Sequence, residues 1–298
     1  MMNFAGTRRA VAYLSRNQPM APSIKETARM KIIHITDTHL VPAGQTLHTL
    51  DPAARLKRVL DDVNQTHPDA DLVVLTGDLT QDGNPAAYAL LKSLLSELSM
   101  PVRLLLGNHD ARDNFRAAFP DHPVDRHGFI QSMMPVPGSD DRLLFLDSNS
   151  ASEIGGRYCE ARAAWLRETL AACPESPLTV FIHHPPVAHG MAHFDNIGLH
   201  DSEVLMQILR AHPGGVRHIF FGHIHIPMTG TTRDGIGFTA GRGCTHQFRQ
   251  EFRNPAPDWI AGVPNYAVIT LTPELLSCHG VDTIDAQAIA PANVCAGP

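Results

Sequence analysis

Short apolar runs recur along the chain, and each ends abruptly in a loop that carries polar, histidine or glycine residues. Continuous apolar runs of this length are typical of strands that are buried on both faces. The runs cover residues 31–35, 72–75, 102–106, 143–146, 178–182 and 216–221. Two later segments, residues 236–240 and 266–271, also predict strands, although their connections are looser.

Helical periodicity appears between the strands. Apolar residues three or four positions apart form two stripes, one of Leu56, Val59, Leu60 and Val63, and the other of Tyr88, Leu91, Leu95 and Leu98. Each stripe follows a capping residue and a proline, Asp51-Pro52 and Asn84-Pro85, which is a typical helix start. Two further helices are predicted over residues 161–172 and 203–211.

The alternation of strands and helices predicts an α/β fold with helices outside a sheet. A second sheet stacked on the first would accommodate the later strands. We expect a main domain over residues 30–281, in which the histidine-rich segment 188–201 forms a small cap over the site. Residues 282–298 are expected to form a C-terminal tail.

The first 29 residues carry an excess of basic side chains but lack the apolar middle stretch of a secretory signal. We expect them to be a flexible N-terminal arm, or upstream residues included by the choice of start site. An oligomerisation arm is the alternative.

Composition narrows the functional classes. The hydrophobic fraction of 43% is sufficient for a sizeable core, and the charged fraction of 18% excludes a disordered chain. The net charge of −6 favours a small substrate over a nucleic acid polymer, which usually requires a basic surface. Five cysteines without CxxC spacing disfavour a disulfide scaffold and favour a cytoplasmic location. No run approaches the length of about 20 apolar residues that a membrane span needs.

Polar side chains with metal-binding or catalytic potential follow five of the predicted strands. These residues are Asp37 and His39, then Asp78, then Asn108, His109 and Asp110, then His183 and His184, and finally His223 and His225. In open α/β sheets, ligands bind at the carboxyl ends of the strands. We therefore expect these residues to converge on one rim of the fold.

The residue types indicate a metal site. Carboxylate and imidazole ligands without a thiolate suit divalent zinc, manganese, iron or cobalt. Residues two apart, such as Asp37 and His39 or His223 and His225, face the same way in an extended segment. Seven candidate ligands are too many for one tetrahedral ion. They suit two ions that share a bridging carboxylate, for which Asp78 is the natural candidate, and paired ions of this kind catalyse phosphoryl displacement.

The ordered series resembles the calcineurin-like metallophosphoesterase superfamily. The segments HITDTHL, LTGDLTQDGNPAAY, LLGNHD, FIHHPP and FGHIHIP resemble its class III cyclic-nucleotide phosphodiesterase and glycerophosphodiesterase branch. These motifs run from Asp37 to His225, and a looser similarity continues to about His246. The resemblance implies a four-layer αββα sandwich, in which two mixed β-sheets are flanked by helices.

The resemblance also implies a role for each matching residue. One ion would be bound by Asp37, His39, Asp78 and His225, and the other by Asp78, Asn108, His183 and His223. His109 would act on the phosphoryl group, together with Asn108, and Asp110 would orient the His109 imidazole. Two such ions lower the pKa of a water toward neutrality, and the resulting hydroxide attacks phosphorus in line without a covalent enzyme intermediate.

Weaker candidates surround this series. His48, in the loop after the first motif, and His246 are predicted to contact substrate, although a solvated loop position is an ordinary alternative for His48. His184 is interpreted as a supporting or loop residue because it adjoins His183. Asp37 alone is compatible with a strand-end cap, and Asn108 alone with a left-handed turn.

The leading hypothesis is a phosphodiesterase with two divalent ions that acts on cyclic nucleotides or glycerophosphodiesters, and we also expect a homo-oligomer. A protein phosphatase or other phosphomonoesterase is one rival, but the Arg-Gly loop expected after Gly-Asp is replaced by residues 79–83, LTQDG. Arg112, near the Gly-Asn-His motif, is only suggestive of that class. A nuclease and a non-enzymatic metal-binding scaffold are more remote alternatives.

Overall fold

The computed structural model of the chain describes residues 29–252 and 257–284. Its helices are α1 Pro52–Thr66, α2 Pro85–Leu95, α3 Arg112–Ala118, α4 Glu160–Ala171, α5 Ala192–Asp195 and α6 Ser202–Arg210. Its strands are β1 Met30–Ile35, β2 Leu72–Thr76, β3 Val102–Leu105, β4 Ser132–Pro135, β5 Arg142–Phe145, β6 Leu178–Phe181, β7 Val216–Phe221, β8 Met228–Thr231, β9 Gly237–Ala240, β10 Gln247–Phe248, β11 Trp259–Ile260, β12 Asn265–Leu271 and β13 Leu276–Asp282.

The first two helices begin at the predicted caps. The Asp51 side chain accepts a hydrogen bond from the backbone amide of Ala54, and the Asn84 side chain accepts one from Ala86. In each helix the following proline occupies the first turn, where its missing amide hydrogen is not needed. The second helix ends at Leu95, so the prediction that its stripe continues to Leu98 is wrong by one turn.

The first sheet has the strand order β13-β12-β1-β2-β3. Strand β1 runs parallel to β2, and β2 runs parallel to β3, whereas β12 is antiparallel to both β1 and β13. Strand β13 reaches Asp282, one residue past the predicted domain boundary. The predicted arm and the remainder of the predicted tail, residues 1–28 and 285–298, lie outside the described residues.

The second sheet has the strand order β4-β5-β6-β7-β9-β8. Its four inner strands are mutually parallel, and the two edge strands pair antiparallel with their neighbours. Strands β10 and β11 form a separate two-stranded ribbon in which Phe248 pairs with Trp259.

Three apolar clusters hold the layers together. The cluster between the sheets combines side chains of both, among them Ile32, Val74, Phe145, Phe181 and Phe220. A second cluster lies between the first sheet and helices α1, α2 and α3, and the third lies between the second sheet and helices α4 and α6. This arrangement confirms the predicted αββα sandwich.

The predicted cap segment, residues 188–201, lies at the same end of the sandwich as the strand-end loops. It contains the short helix α5, whose Asp195 carboxylate accepts hydrogen bonds from the amides of His189 and Gly190. The carbonyl oxygen of Ile197 lies 2.9 Å from Nε2 of His223. Within the described residues, no helix combines the length and the apolar character needed to cross a bilayer.

Candidate metal centre

The seven residues that the sequence predicts as metal ligands meet at one rim of the sandwich. All of them follow the carboxyl ends of parallel strands. The first sheet supplies Asp37, His39, Asp78 and Asn108, which follow β1, β2 and β3, and the second sheet supplies His183, His223 and His225, which follow β6 and β7. Six of these residues are buried, and Asn108 is partly buried.

Four of them form a first cluster of donors. One oxygen or nitrogen atom from each of Asp37, His39, Asp78 and His225 lies within 4.8 Å of the others. The Oδ1 atom of Asp37 is 3.2 Å from Nε2 of His225, and that nitrogen is 3.1 Å from Nε2 of His39. Spacings of this size suit ligands arranged around one cation.

A second cluster adjoins the first through Asp78. The Oδ2 atom of Asp78 is 3.5 Å from Nε2 of His39 and 3.4 Å from Nε2 of His183, so it lies between the two groups. The Oδ1 atom of Asn108 is 3.3 Å from Nε2 of His183 and 2.9 Å from Nδ1 of His223. Asp78 therefore has the position expected of a bridging carboxylate.

Hydrogen bonds on the outer side of each imidazole determine which nitrogen carries the hydrogen. The outer nitrogen of His39 is Nδ1, which faces the side-chain amide oxygen of Gln81. The outer nitrogens of the other three, Nδ1 of His183 and His225 and Nε2 of His223, face the backbone carbonyl oxygens of Thr76, His246 and Ile197, respectively. A carbonyl oxygen only accepts hydrogen bonds, so each outer nitrogen must donate. In the neutral imidazole the inner nitrogen then presents a lone pair to the cluster, as a metal ligand does.

The imidazole nitrogens and the amide oxygen that face the centre of the clusters are all hydrogen-bond acceptors. They would repel one another without a positive charge between them, so their arrangement fits a cation. The facing Nε2 atoms of His39 and His225 are both acceptors at 3.1 Å in the neutral state. Nδ1 of His223 and the amide oxygen of Asn108 are likewise two acceptors at 2.9 Å. Acceptors at these distances require a proton or a metal ion between them. The donor set thus fits the two divalent ions that calcineurin-like phosphoesterases use.

The electrostatics point the same way. Burial lowers the pKa of His39 and of His223 to about 3, so both remain neutral. Burial also acts to lower the pKa of His183, but the Asp78 carboxylate outweighs it and raises that pKa to about 9. Burial opposes ionisation of Asp37, yet His225 holds the pKa of this carboxyl well below its usual range. Two buried carboxylates therefore stabilise positive charge at the centre of the site.

Backbone strain is concentrated in the same loops. Asp37, His39, Asp78, His223 and His225 have φ values between 41° and 68°, in the left-handed region that side chains other than glycine rarely adopt. We predicted that residues two apart converge because their segment is extended. The side chains do converge, but the segment is not extended, so the predicted cause is wrong. Left-handed turns, not a pleated strand, bring these pairs of side chains together.

Two glycines let the loops approach closely. A Cβ atom on Gly107 would lie 2.2 Å from Oδ1 of Asp78 and 2.6 Å from Nε2 of His183. A Cβ atom on Gly222 would lie 1.9 Å from Oγ1 of Thr36 and 2.7 Å from Oδ2 of Asp37. The glycines before Asn108 and His223 are therefore required because a side chain would displace the ligands.

His109 lies beside the first cluster, but its orienting partner differs from our expectation. Its Nδ1–H donates to the backbone carbonyl of Gln81 at 2.7 Å, and its ring makes an edge contact with His39 at 4.8 Å. The Asp110 carboxylate instead accepts from the amides of Leu79 and Gly107 and from the Tyr88 hydroxyl. Asp110 holds the strand-end loops together, and Gln81 orients the His109 imidazole.

His184 adjoins the second cluster, where one of its nitrogens lies within 4.8 Å of nitrogens of His183 and His223, but both of its ring nitrogens have other partners. Its Nε2–H donates to the carbonyl oxygen of Ile154, and its Nδ1 lies 2.8 Å from the Ser148 hydroxyl. Burial and the neighbouring His223 and His183 keep its pKa well below the usual value, so the ring is neutral. These contacts agree with the interpretation of His184 as a supporting residue.

The two predicted substrate contacts lie on the side of the first cluster. His246 packs between the ligands His39 and His225, with ring centroids 4.8 and 4.5 Å away, and it is only 2% exposed. His48 is exposed, and its ring centroid is 5.1 Å from that of His246. Both residues therefore border the rim, where His246 is buried and His48 lies at the surface.

Sequence reasoning missed residues that support the centre. Gln81 contacts His39 through its side chain and His109 through its backbone, although its segment LTQDG was visible in the sequence. Asn149 donates hydrogen bonds to the carbonyl oxygens of Gly107 and Asp110 and so supports the Asn108 loop. Trp259, which stacks on His48, carried no motif that could have identified it.

Comparison with known proteins agrees with this geometry. The family model described as calcineurin-like phosphoesterase matches residues 30–227. A probable cyclic nucleotide phosphodiesterase of Rhodopseudomonas palustris is 36% identical over 254 residues, which cover 84% of this chain and 91% of that protein. The glycerophosphodiester phosphodiesterase GpdQ of Enterobacter lignolyticus is 31% identical over 66% of this chain and 71% of its own length.

A third relative is the 3′,5′-cyclic adenosine monophosphate phosphodiesterase CpdA of Pseudomonas aeruginosa, which is 30% identical over 66% of this chain and 70% of its own length. Among solved structures, a dimetal phosphatase of Danio rerio superposes with a TM-score of 0.65 at 16% identity and covers 87% of this chain and 98% of that one. The structural likeness shows a shared fold.

Proposed function

Because the chain belongs to the calcineurin-like phosphoesterase family, we propose that it is a metal-dependent hydrolase of small phosphodiesters. The observation that carries this proposal is the pair of donor clusters that share Asp78, with four imidazoles whose outer nitrogens are all committed to carbonyl oxygens. Cyclic nucleotides and glycerophosphodiesters are the candidate substrates, since the relatives are named for these two classes.

We assign the ligands of the two ions from the geometry of the clusters. The first ion would be held by Asp37, His39, Asp78 and His225, and the second by Asp78, Asn108, His183 and His223. Oxygen and imidazole donors are compatible with iron, manganese, zinc or cobalt. When bound, two such ions activate a water as the nucleophile and neutralise charge on the phosphate.

His109 is the residue best placed to orient the substrate and to donate a proton to its leaving oxygen. The Nδ1–H of His109 is held by the Gln81 carbonyl, which leaves Nε2 free to bear a proton toward the leaving oxygen. The backbone amide of His109 donates to Oδ1 of Asp78 and so ties this imidazole to the bridging carboxylate. Burial of the cluster excludes bulk water and strengthens each of these electrostatic contacts.

Arg112, the one residue that suggested a protein phosphatase, has a structural role instead. The Arg112 guanidinium donates to both oxygens of the Asp147 carboxylate and to the carbonyl oxygen of Asn149. Asp147 is fully buried, and this ion pair anchors the guanidinium away from a role in binding phosphate. The net charge of −6 continues to disfavour a nucleic acid polymer as substrate.

A substrate panel tests the proposal. Metal-reconstituted protein is assayed with cyclic AMP, a glycerophosphodiester, a phosphomonoester, single-stranded DNA and the general diester bis(p-nitrophenyl) phosphate. We expect hydrolysis of the small diesters, with Asp78→Ala as the inactive control that excludes a contaminating enzyme. Preferential hydrolysis of the monoester or of DNA would replace this proposal with one of the rivals, and metal binding without any turnover would favour the scaffold.

A further inference from the structure

A stack of aromatic rings rises from the core beside the metal centre. Phe248 and Trp259 are paired across the β10–β11 ribbon, and their rings stack with centroids 3.7 Å apart and an angle of 27°. Phe248 is 8% exposed and anchors the stack, whereas Trp259 is 46% exposed. A tryptophan that served only as packing would be expected to be buried, because exposing its surface forfeits much of its hydrophobic contribution.

His48 forms the outer part of the same stack. Its imidazole lies parallel to the Trp259 indole, with centroids 5.2 Å apart and an angle of 23°. The turn that presents it is held by two reciprocal hydrogen bonds between Leu47 and Leu50. Its central residues, His48 and Thr49, have φ values of 49° and 67°, a conformation that normally selects asparagine and glycine. The chain thus adopts a strained turn that displays an imidazole at the surface.

The stack borders the ligands of the first ion. The Trp259 ring is 5.7 Å from the ring of His225, and His246 fills the space between them, 4.4 Å from Trp259. His246 in turn contacts His39 at 4.8 Å. A phosphodiester bound at the metal centre would therefore bring its substituents next to this aromatic surface.

On the basis of the proposed function, we propose that His48, supported from behind by Trp259, presents its outer face as a stacking surface for the base of a nucleotide and makes this site selective for cyclic nucleotides over glycerophosphodiesters. Every nucleobase has a flat π-face that stacks on aromatic side chains, whereas glycerol and ethanolamine groups have none. The exposed imidazole offers such a surface at the rim, and the indole behind it is held in place by the buried Phe248 and His246.

Kinetics of three variants test the selectivity. Stacking holds the base equally in the ground state and the transition state, so its loss raises KM and leaves kcat largely intact. For His48→Ala we expect kcat/KM for cyclic AMP to fall about 5- to 150-fold, which corresponds to about 1–3 kcal/mol per stacked base. The ratio of cyclic AMP to glycerophosphoethanolamine turnover should fall with it. Trp259→Ala removes the support of the imidazole and should shift the ratio in the same direction, whereas Trp259→Phe should retain most of the wild-type ratio.

Trp165→Phe is the matched control, because Trp165 is the other of the two tryptophans in the sequence, belongs to helix α4 and packs against the apolar cluster of the second sheet. The same substitution leaves Trp259 as the sole source of tryptophan fluorescence. We expect 5′-AMP to quench this fluorescence saturably in the metal-loaded protein, and glycerol 3-phosphate not to do so. This readout does not depend on turnover and uses the native Trp259, so it holds even if Trp259→Ala fails to fold.

The outcomes separate the two proposals. If the metal-loaded wild type hydrolyses no small diester, the proposed function fails, and the fluorescence titration still decides whether a nucleotide stacks here. If the diesters are hydrolysed but Trp259→Ala and His48→Ala lower the turnover of both substrates equally, or 5′-AMP leaves the fluorescence unchanged, the stacking surface is refuted while the proposed function stands.

Discussion

At the scale of single residues, the metal centre concentrates conformations that a side chain normally avoids. Five of the seven proposed ligands have left-handed φ values, and each such residue costs on the order of 1–3 kcal/mol. Strain of this kind persists only where the surroundings determine the backbone. Here the amide of His223 donates to the Asp37 carboxylate, and the amides of Asp37 and His39 donate to the carbonyl oxygens of Gly77 and Asp78.

Removing the Asn108 amide should weaken the second ion selectively. We expect Asn108→Ala to bind close to one ion per chain and to lower kcat by at least about 100-fold, since a ligand is lost from an otherwise assembled cage. Elemental analysis after gel filtration measures the stoichiometry. Asn64→Ala, which removes an amide that bonds the Glu97 carbonyl far from the rim, is the matched control. Unchanged stoichiometry and rate in Asn108→Ala would contradict the assignment.

A methyl group at Gly107 should displace the ligands Asp78 and His183. The new Cβ would overlap Oδ1 of Asp78 and Nε2 of His183, so Gly107→Ala should lose metal affinity and most of its activity. Gly280→Ala is the control, because a Cβ there meets no atom within 4 Å. Metal titration by calorimetry compares the two variants. Tight binding of two ions by Gly107→Ala would show that the loops can separate more easily than the structure indicates.

At the scale of elements, the edge strand β3 is completed by a histidine from outside the sheet. The amide of Leu104 donates to Nε2 of His122 at 3.1 Å, and the Nδ1–H of His122 donates to the carbonyl oxygen of Pro123. Edge strands leave amides unpaired, and a covering group of this kind satisfies them. Burial lowers the pKa of His122 to about 4, so the ring stays neutral and accepts this hydrogen bond.

The depressed pKa makes the contribution of His122 depend on pH. The unfolded chain binds a proton near pH 6.5 and the folded chain only near pH 4, so this contribution is complete above pH 6.5 and declines as the pH falls toward 4. We expect His122→Gln to be less stable than wild type by about 1 kcal/mol at pH 7.5. At pH 5, about 1.5 units below the unfolded pKa, the contribution of His122 should fall by about 2 kcal/mol, so the variant should be as stable as wild type or more stable. Urea unfolding at both pH values measures it. A difference that stayed constant with pH would show that His122 does not titrate in this way.

At the scale of the whole molecule, the metal centre joins the two sheets. The first cluster combines Asp37, His39 and Asp78 of the first sheet with His225 of the second, and the second cluster combines Asp78 and Asn108 with His183 and His223. Ions bound there would link the layers at the rim, where the apolar core between the sheets ends. Metal binding should therefore stabilise the sandwich as a unit.

Thermal unfolding with and without metal tests this link. A ligand at 100 times its Kd stabilises the folded state by about 2.7 kcal/mol, so two ions should raise Tm by roughly 5–15 °C for a domain of this size. A chelator should reverse the shift, and Asp78→Ala, which lacks the shared ligand, should lose most of it. Two bound ions with no change in Tm would show that the ions do not contribute to holding the sheets together.

Much of this architecture was determined by local sequence. The caps Asp51 and Asn84 and the apolar runs of the strands depend on neighbours a few positions away, and the structure confirms the layered α/β fold with a second sheet that they predicted. The structure also confirms the four-layer αββα sandwich that the family resemblance implied. The helix α3 and the ribbon β10–β11 were not predicted, since they are short and their stability comes from packing and not from periodicity.

Only the tertiary structure decided how the site works. The left-handed turns, the carbonyl partner of His109 and the stack of Trp259 on His48 each depend on contacts between segments that are distant in sequence; the amide of His223, for example, bonds a carboxylate 186 residues away. The residue types and their order along the chain predicted a site for cations. The packing of two sheets determined which atoms face them, because the direction of a side chain depends on backbone angles that remote neighbours impose.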